Sequence, residues 1–286
     1  MTHGQHRAAQ HTGRRELANR LRDYFSLQLQ LAEVISEKTA SPLSDSVFRY
    51  TNFCRRFGLG RPKDATHSPE WKRYGDRLDT LKTHDARLDW TGEFFRQAPR
   101  ESLPPGQRRF GCFSVDPADE EGIVRIHFGN YEHDRVGPLS ASKAGKRRHE
   151  LKKMFAYVKE TYPLAREVRG VSWLYNREAY RRLFPPEYFD SREIQETSPH
   201  FQGSSRWGQF LDHRGGVRPA LRERFRRNLE QMDIDKLWEV FPLPTFRLRA
   251  PIKLFYDYYL ALPRRHRLRQ AGKHSGAGSI GRCPGR

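Results

Sequence analysis

Residues 122–130, "GIVRIHFGN", and 167–175, "EVRGVSWLY", are short apolar runs with polar residues interleaved, and between them lies a longer segment of different texture. From Ser142 to Tyr162 the apolar residues Leu151, Met154, Phe155 and Val158 recur at helical spacing. The outer two runs read as strands and the middle one as a helix. Strand, helix, strand in that order marks a crossover unit in a mixed sheet.

Upstream, "RFGCFSV" (109–115) alternates apolar and polar residues and is separated from "GIVRIHFGN" by the acidic turn "DPADEEG". That arrangement predicts a β-hairpin. Downstream, "SRWGQFLDHRGGVRP" (205–219) reads as a further strand with a Gly-Gly turn, and "RPALRERFRRNLEQM" (218–232) as a helix. Before residue 100 the texture is helical. Leu17, Leu21, Tyr24, Phe25, Leu31, Val34 and Ile35 form one stripe over 15–37, a second helix spans 44–57, and Ser68 with Pro69 opens a third. A fourth covers 85–97. "PRESLPPGQ" (99–107) then breaks the pattern with three prolines and a glycine. The expected fold is α+β (mixed α/β): an N-terminal helical layer (15–100), a linker (101–107), and a mixed-sheet domain with crossover helices (108–262). Residues 1–14 and 263–286 read as disordered tails.

A chain of 286 residues with 36% hydrophobic and 12% aromatic content can bury a sizeable core. No window approaches a membrane span and the first residues lack the apolar stretch of a secretory signal, so a cytoplasmic protein is expected. Cys54, Cys112 and Cys283 are odd in number and far apart, which suggests neither a disulfide framework nor a zinc site. The formal charge of +19 attracts anions, nucleic acid among them. Its carriers are 41 Arg and only 12 Lys, and seven of the charges sit in the tail at 263–286. Familiar chemistry is missing: there is no Walker A loop, GxGxxG, HExxH or GxSxG, and "GPLSASKAGKRR" (137–148) departs from a P-loop at Ser140 and Arg147.

Three segments carry candidate site residues. "IHFGNYEHDRVGPLS" (126–140) leaves a strand and enters a helix, where free backbone N–H groups can hold an anion. His127 is the acid or base candidate there, Ser140 with the N–H groups after it a phosphate cradle, and Lys143, Lys146 and Arg147 its neutralising charges. The alternative is a helix cap followed by a solvated basic face. In "VRGVSWLY", Val171, Trp173 and Tyr175 share one strand face and Ser172 and Leu174 the other, with Asn176 as the cap of the next helix. Tyr175 is a second acid or base candidate, and Ser172 and Trp173 are substrate-binding candidates; Ser172 has neither an elbow glycine nor a base and reads as a hydrogen-bonded strand serine. In "FQGSSRWGQFLD" (201–212), Gln202, Trp207 and Gln209 are substrate-binding candidates, and Gly203 and Gly208 suggest a bulge or a close approach.

Together, "RYTNFCRRFGLGRP", "HFGN", "GPLS", "RRHELKKMF", "VRGVSWLYNREAYRRLFPPEYF" and "FQGSSRWGQFLD" resemble a family of uncharacterised bacterial proteins over most of residues 15–262. Residues 122–211 also resemble the C-terminal GNAT-like domain of acyltransferase-related proteins, in which a His-containing strand, a GPL turn, a helix, a "SWL" strand and a late "FQ" strand follow in this order. That likeness implies an acyl-CoA fold with coenzyme A or acyl-CoA as the ligand. The pyrophosphate pattern of active N-acetyltransferases is replaced here by "GPLSASKAG". The runner-up reading is a nucleic-acid or anionic-partner binding protein without catalysis, its contacts made by the basic tails and "KAGKRRHELKK".

Overall fold

Local signals set the first helices, and tertiary contacts adjust their ends. The computed structural model describes residues 13–60, 65, 68–98, 106–132, 134–196 and 201–261. The expected tails at 1–12 and 263–286, and 101–105 of the linker, lie outside these residues. The first described residue, 13, is already helical although it lies inside the expected tail, and there the Arg14 guanidinium donates to the Phe95 carbonyl (3.0 Å) and covers its ring (4.8 Å). Helix α1 (Arg22–Thr39) buries Tyr24, Phe25, Leu31 and Ile35, while Leu17 before it stays exposed.

The single helix expected over 44–57 is two, α2 (Leu43–Tyr50) and the one-turn α3 (Phe53–Arg56). Thr51 is extended between them because the Asn52 N–H is captured by Gln28 Oε1 (2.8 Å) and its side-chain amide by Tyr24 Oη (2.7 Å). Buried polar groups need partners, and here they take backbone from the helix. Helix α4 (Pro69–Thr80) starts as expected, with Ser68 Oγ accepting from Trp71 N at 3.3 Å and Pro69 at the first helical position. Helix α5 (His84–Gln97) follows, capped by Thr83.

"RFGCFSV" contains a hairpin of its own: β1 (Arg108–Phe110) and β2 (Phe113–Val115) pair across Gly111, whose φ is +63°. Strand β3 (Ile123–Phe128) pairs antiparallel with β2, as the hairpin reading expects. Helix α6 (Ala144–Thr161) then crosses to β4 (Glu167–Ser172), which lies parallel to β3. One-turn α7 (Glu178–Arg181), two-residue β5 (Glu193–Ile194), one-turn α8 (Ser204–Trp207) and α9 (Pro219–Glu230) follow. Strand β6 (Phe246–Pro251) and α10 (Ile252–Leu260), unread in the sequence, complete the sheet and cover it. The order is β1-β2-β3-β4-β6-β5, a mixed sheet in an α+β fold. No described helix is long and apolar enough to cross a membrane.

Two cores result. Val124, Ile126, Val168, Leu248 and Ala250 point to one face of the sheet, against Leu151, Met154, Phe155 and Val158 of α6 and Phe255 and Tyr259 of α10. Phe155 stacks on Phe255 and Tyr259 at centroid distances of 4.9 and 5.2 Å. The second core joins the N-terminal helices to residues 201–241: Phe201, Trp207, Phe210, Phe225 and Phe241 pack with Tyr24, Phe25 and Phe53. So "SRWGQFLD" is no strand. It is α8 and a 3₁₀ turn, and Gly203 and Gly208 flank the short helix instead of marking a bulge.

Gly170 in β4 shows how tightly the sheet meets its cover, since a Cβ there would lie 1.9 Å from Tyr175 Oη and 2.6 Å from Tyr188 Oη. Gly170→Ala should cost about 1–3 kcal/mol in urea denaturation, the range of an overpacked core. Adding Tyr175→Phe, which removes the colliding oxygen, should return part of that loss; an equal or larger loss in the double variant would place the strain elsewhere.

Candidate functional site

Strand β3 is shared between two neighbours. Ile123, Val124 and Arg125 pair in parallel with Glu167, Val168 and Arg169, whereas Ile126, His127 and Phe128 pair with β2 on the other side. Pairing between β3 and β4 therefore stops halfway, leaving a wedge between Ile126–Phe128 and Gly170–Ser172 at the carboxyl ends of two parallel strands. In open α/β sheets this is where ligands enter.

The strand expected to run to Tyr175 ends at Ser172. Ser172 Oγ accepts from Leu174 N (3.0 Å) and turns the chain into a 3₁₀ turn, Trp173–Asn176. Its hydroxyl thus has a structural duty. Asn176 does not cap the next helix; its Nδ2 donates to the Trp173 and Pro244 carbonyls at 2.6 and 2.8 Å, tying the turn to the segment before β6. The turn sends Tyr175 into the sheet core, where it is 1% exposed, its Oη 3.1 Å from Tyr188 Oη, and burial pushes its phenol well above the ordinary value. A buried phenol cannot reach an external reactant.

His127 stands differently. It lies on the open face of the sheet, opposite Ser114 of β2, and its side chain is 40% exposed. Asp116, two residues beyond Ser114 and so on the same face, puts Oδ2 3.1 Å from His127 Nε2. The oxygen sits off the line of an ideal hydrogen bond, so the contact is chiefly electrostatic. Asp116 is itself held by Gln107, whose Nε2 donates to Oδ1 at 2.8 Å. Across the wedge stands exposed Val171. A part-exposed imidazole whose Nε2 is buried beside a carboxylate, with a third group orienting that carboxylate, is the arrangement of a general base that would act through Nδ1.

The expected phosphate cradle looks different in space. Helix α6 starts at Ala144, after a 3₁₀ turn, and Ser140 makes no cap bond; its hydroxyl meets Ser142 Oγ at 3.1 Å. Lys143, Lys146 and Arg147 all converge on Glu132, at 2.6, 2.5 and 2.6 Å. Lys143 also holds Asp134 (2.7 Å), and fully buried Arg147 reaches Glu150 (3.0 Å). Charges expected to neutralise a ligand are neutralised by the protein. Burial alone would raise the Glu132 carboxyl, but hydrogen bonds from the three cations outweigh it and hold the pKa down at about 2. Burial pushes Glu150 up, and one of its oxygens accepts the Cys112 N–H at 3.1 Å, fastening α6 to the β1–β2 turn.

A cation outside any ion pair, with Asp212 acting on it only at longer range, stands at the mouth of the wedge instead. The Arg218 guanidinium lies 5.3 Å over the Trp173 ring and, among the described residues, has no ion-pair partner. Burial, helped by the neighbouring Arg177 cation, lowers its pKa. The remaining sequence candidates serve the helical core: Gln202 Nε2 donates to the Phe48 carbonyl (2.6 Å), Trp207 Nε1 to Tyr50 (3.0 Å), and Gln209 bonds Arg206 and both polar groups of the Leu243 backbone. The structure thus gathers His127, Ser172 and Trp173 near the wedge and withdraws Tyr175, Gln202, Trp207 and Gln209 from it. Asp116, Gln107, Glu132 and Arg218 are the participants the sequence reading lacks. Only Asp116 had a usable signal there, since its even spacing from Ser114 fixes its face.

A scan against protein-family models found no match, and searches of curated proteins and of solved structures found no relative either.

Glu132 yields a pH-dependent prediction. Its folded pKa lies below the ordinary 4.5, so its stabilisation is complete above that value and disappears as pH falls towards about 2. Glu132→Gln should lower stability at pH 7 by on the order of 3 kcal/mol, because buried Arg147 loses the nearer of its two carboxylate partners and Lys143 and Lys146 lose theirs at this residue. Urea midpoints measured from pH 7 downwards should show the gap between variant and parent narrowing below 4.5; a constant gap would assign the loss to shape and not to charge.

Proposed function

We propose that the protein is an acyltransferase-like enzyme that takes an acyl-CoA or similar thioester in the wedge between β3 and β4. The observation that carries this reading is the part-exposed His127 beside Asp116, at the gap where β3 and β4 cease to pair. An extended carrier fits the gap between two strand ends, and its phosphates find Arg218 at the mouth. Lys143, Lys146 and Arg147 serve instead to fix the loop that ends the wedge, through Glu132.

In the reaction, an amine or hydroxyl of the acceptor attacks the thioester carbonyl. His127 takes the proton from the attacking group as the new C–N or C–O bond forms. The C–S bond then breaks, and the thiolate leaves and receives that proton, so the products are the acylated acceptor and free thiol. Asp116 stabilises the imidazolium between the two transfers. The likeness of residues 122–211 to GNAT-like domains supports the same ligand class.

Thermal denaturation of the full chain with coenzyme A and acetyl-CoA tests the reading. A ligand at a hundredfold excess over Kd should add about 2.7 kcal/mol of stability. His127→Ala should keep that stabilisation and lose transfer, measured as thiol release, by about 10²- to 10⁴-fold. Asp116→Asn should lose less. Absence of stabilisation by millimolar-range coenzyme A would sink the proposal, and stabilisation with unchanged thiol release in His127→Ala would remove His127 from the chemistry.

A further inference from the structure

The arginines of this chain divide into two populations. Arg22, Arg87, Arg125, Arg169, Arg181, Arg222 and Arg247 each meet a carboxylate within 3.3 Å. Arginines outside ion pairs also occur elsewhere among the described residues, Arg49, Arg55, Arg77 and Arg224 among them, but around the mouth of the wedge several come together. Arg20 before α1, Arg135 after β3, Arg177 after β4, and Arg214 and Arg218 in the segment before α9 have no ion-pair partner among the described residues. Four separate stretches of chain deliver them, and backbone contacts hold those stretches together. Asn130 Nδ2 donates to the His213 carbonyl (2.8 Å), His213 Nε2 meets the Arg135 carbonyl (3.2 Å), and Arg20 Nη1 donates to the Arg214 carbonyl (3.1 Å). The nearby acid, Asp212, spends one oxygen on the backbone N–H groups of Arg214 and Gly216, at 2.7 and 2.9 Å.

Gathering like charges costs stability: Arg177 disfavours the charge on Arg218, and Asp212 offsets that only in part. A polyanion repays that cost. We propose that this arginine rim binds the phosphodiester backbone of single-stranded RNA. Planar guanidinium groups suit phosphate oxygens, and five of them along one rim suit a chain of phosphates better than a single small anion. A rim built of turns and loops has no projecting helix or ribbon to enter a duplex major groove. Accessible single strands of that kind are characteristic of RNA loops and ends. The site differs from the basic tails and from "KAGKRRHELKK", whose leading cations Glu132 holds.

The test is fluorescence anisotropy of a labelled single-stranded RNA with the full chain at low and moderate salt, beside single-stranded and duplex DNA of the same sequence. The triple substitution R20Q/R135Q/R214Q, which leaves Arg218 and His127 in place, should weaken RNA binding at least about tenfold and reduce the log–log salt slope by roughly 2, about 0.7 for each lost contact. R125Q/R169Q/R247Q removes the same formal charge from the open sheet face and should leave the slope unchanged. Equal losses in the two variants, no RNA binding at low salt, or tighter binding of either DNA would each overturn the proposal. Because coenzyme A stabilisation of the triple variant is read separately, failure here is distinguishable from failure of the acyl-transfer reading.

Discussion

Everything about the site depends on strand β3 having a different neighbour along each half of its length. Its first three residues belong to a parallel pair with β4 and its last three to an antiparallel pair with β2. The two neighbours flank β3 on opposite sides, so the pairings do not compete; β4 runs on along β6 as far as Ser172, which caps the 3₁₀ turn that follows. The wedge lies where β3–β4 pairing has stopped while each strand keeps its outer neighbour. Side-chain alternation then puts His127 and Asp116 on the open face and Ile126 and Phe128 on the packed one, so one strand supplies both core and the candidate site.

Charge is organised by the same loop. Glu132, four residues past the end of β3, draws in Lys143, Lys146 and Arg147 from the start of α6, while Glu150 binds the β1–β2 turn. Three elements of the sheet domain are thereby clamped around one buried carboxylate cluster. The consequence for function is an exchange of roles: the basic run most visible in the sequence is internal scaffolding, and the cations left for ligands are scattered arginines that no run announces.

Much of the architecture was legible. The strand, helix, strand order over 122–175 gave the parallel pair and its crossover, and the Ser68–Pro69 cap gave a helix start to the residue. Less legible were segments whose conformation is imposed by distant partners. The helix expected over 44–57 breaks because Gln28 and Tyr24 claim Asn52, and 204–210 is helical because Trp207 and Gln202 anchor on the carbonyls of Tyr50 and Phe48. Of the candidate site, His127 was legible from its strand and loop context. Its partner Asp116 was hidden in what read as an acidic turn.

By itself the sequence determined periodicity, caps and the order of elements, because these follow from interactions within a few residues. Tertiary structure decided which half of β3 pairs with which neighbour, that Tyr175 is core and His127 is open, and that Lys143, Lys146 and Arg147 are neutralised while Arg218 is not. The physical reason is range: hydrogen bonds within a helix or turn join near neighbours in the chain, whereas strand pairing and ion pairing join residues whose proximity exists only after the chain has folded.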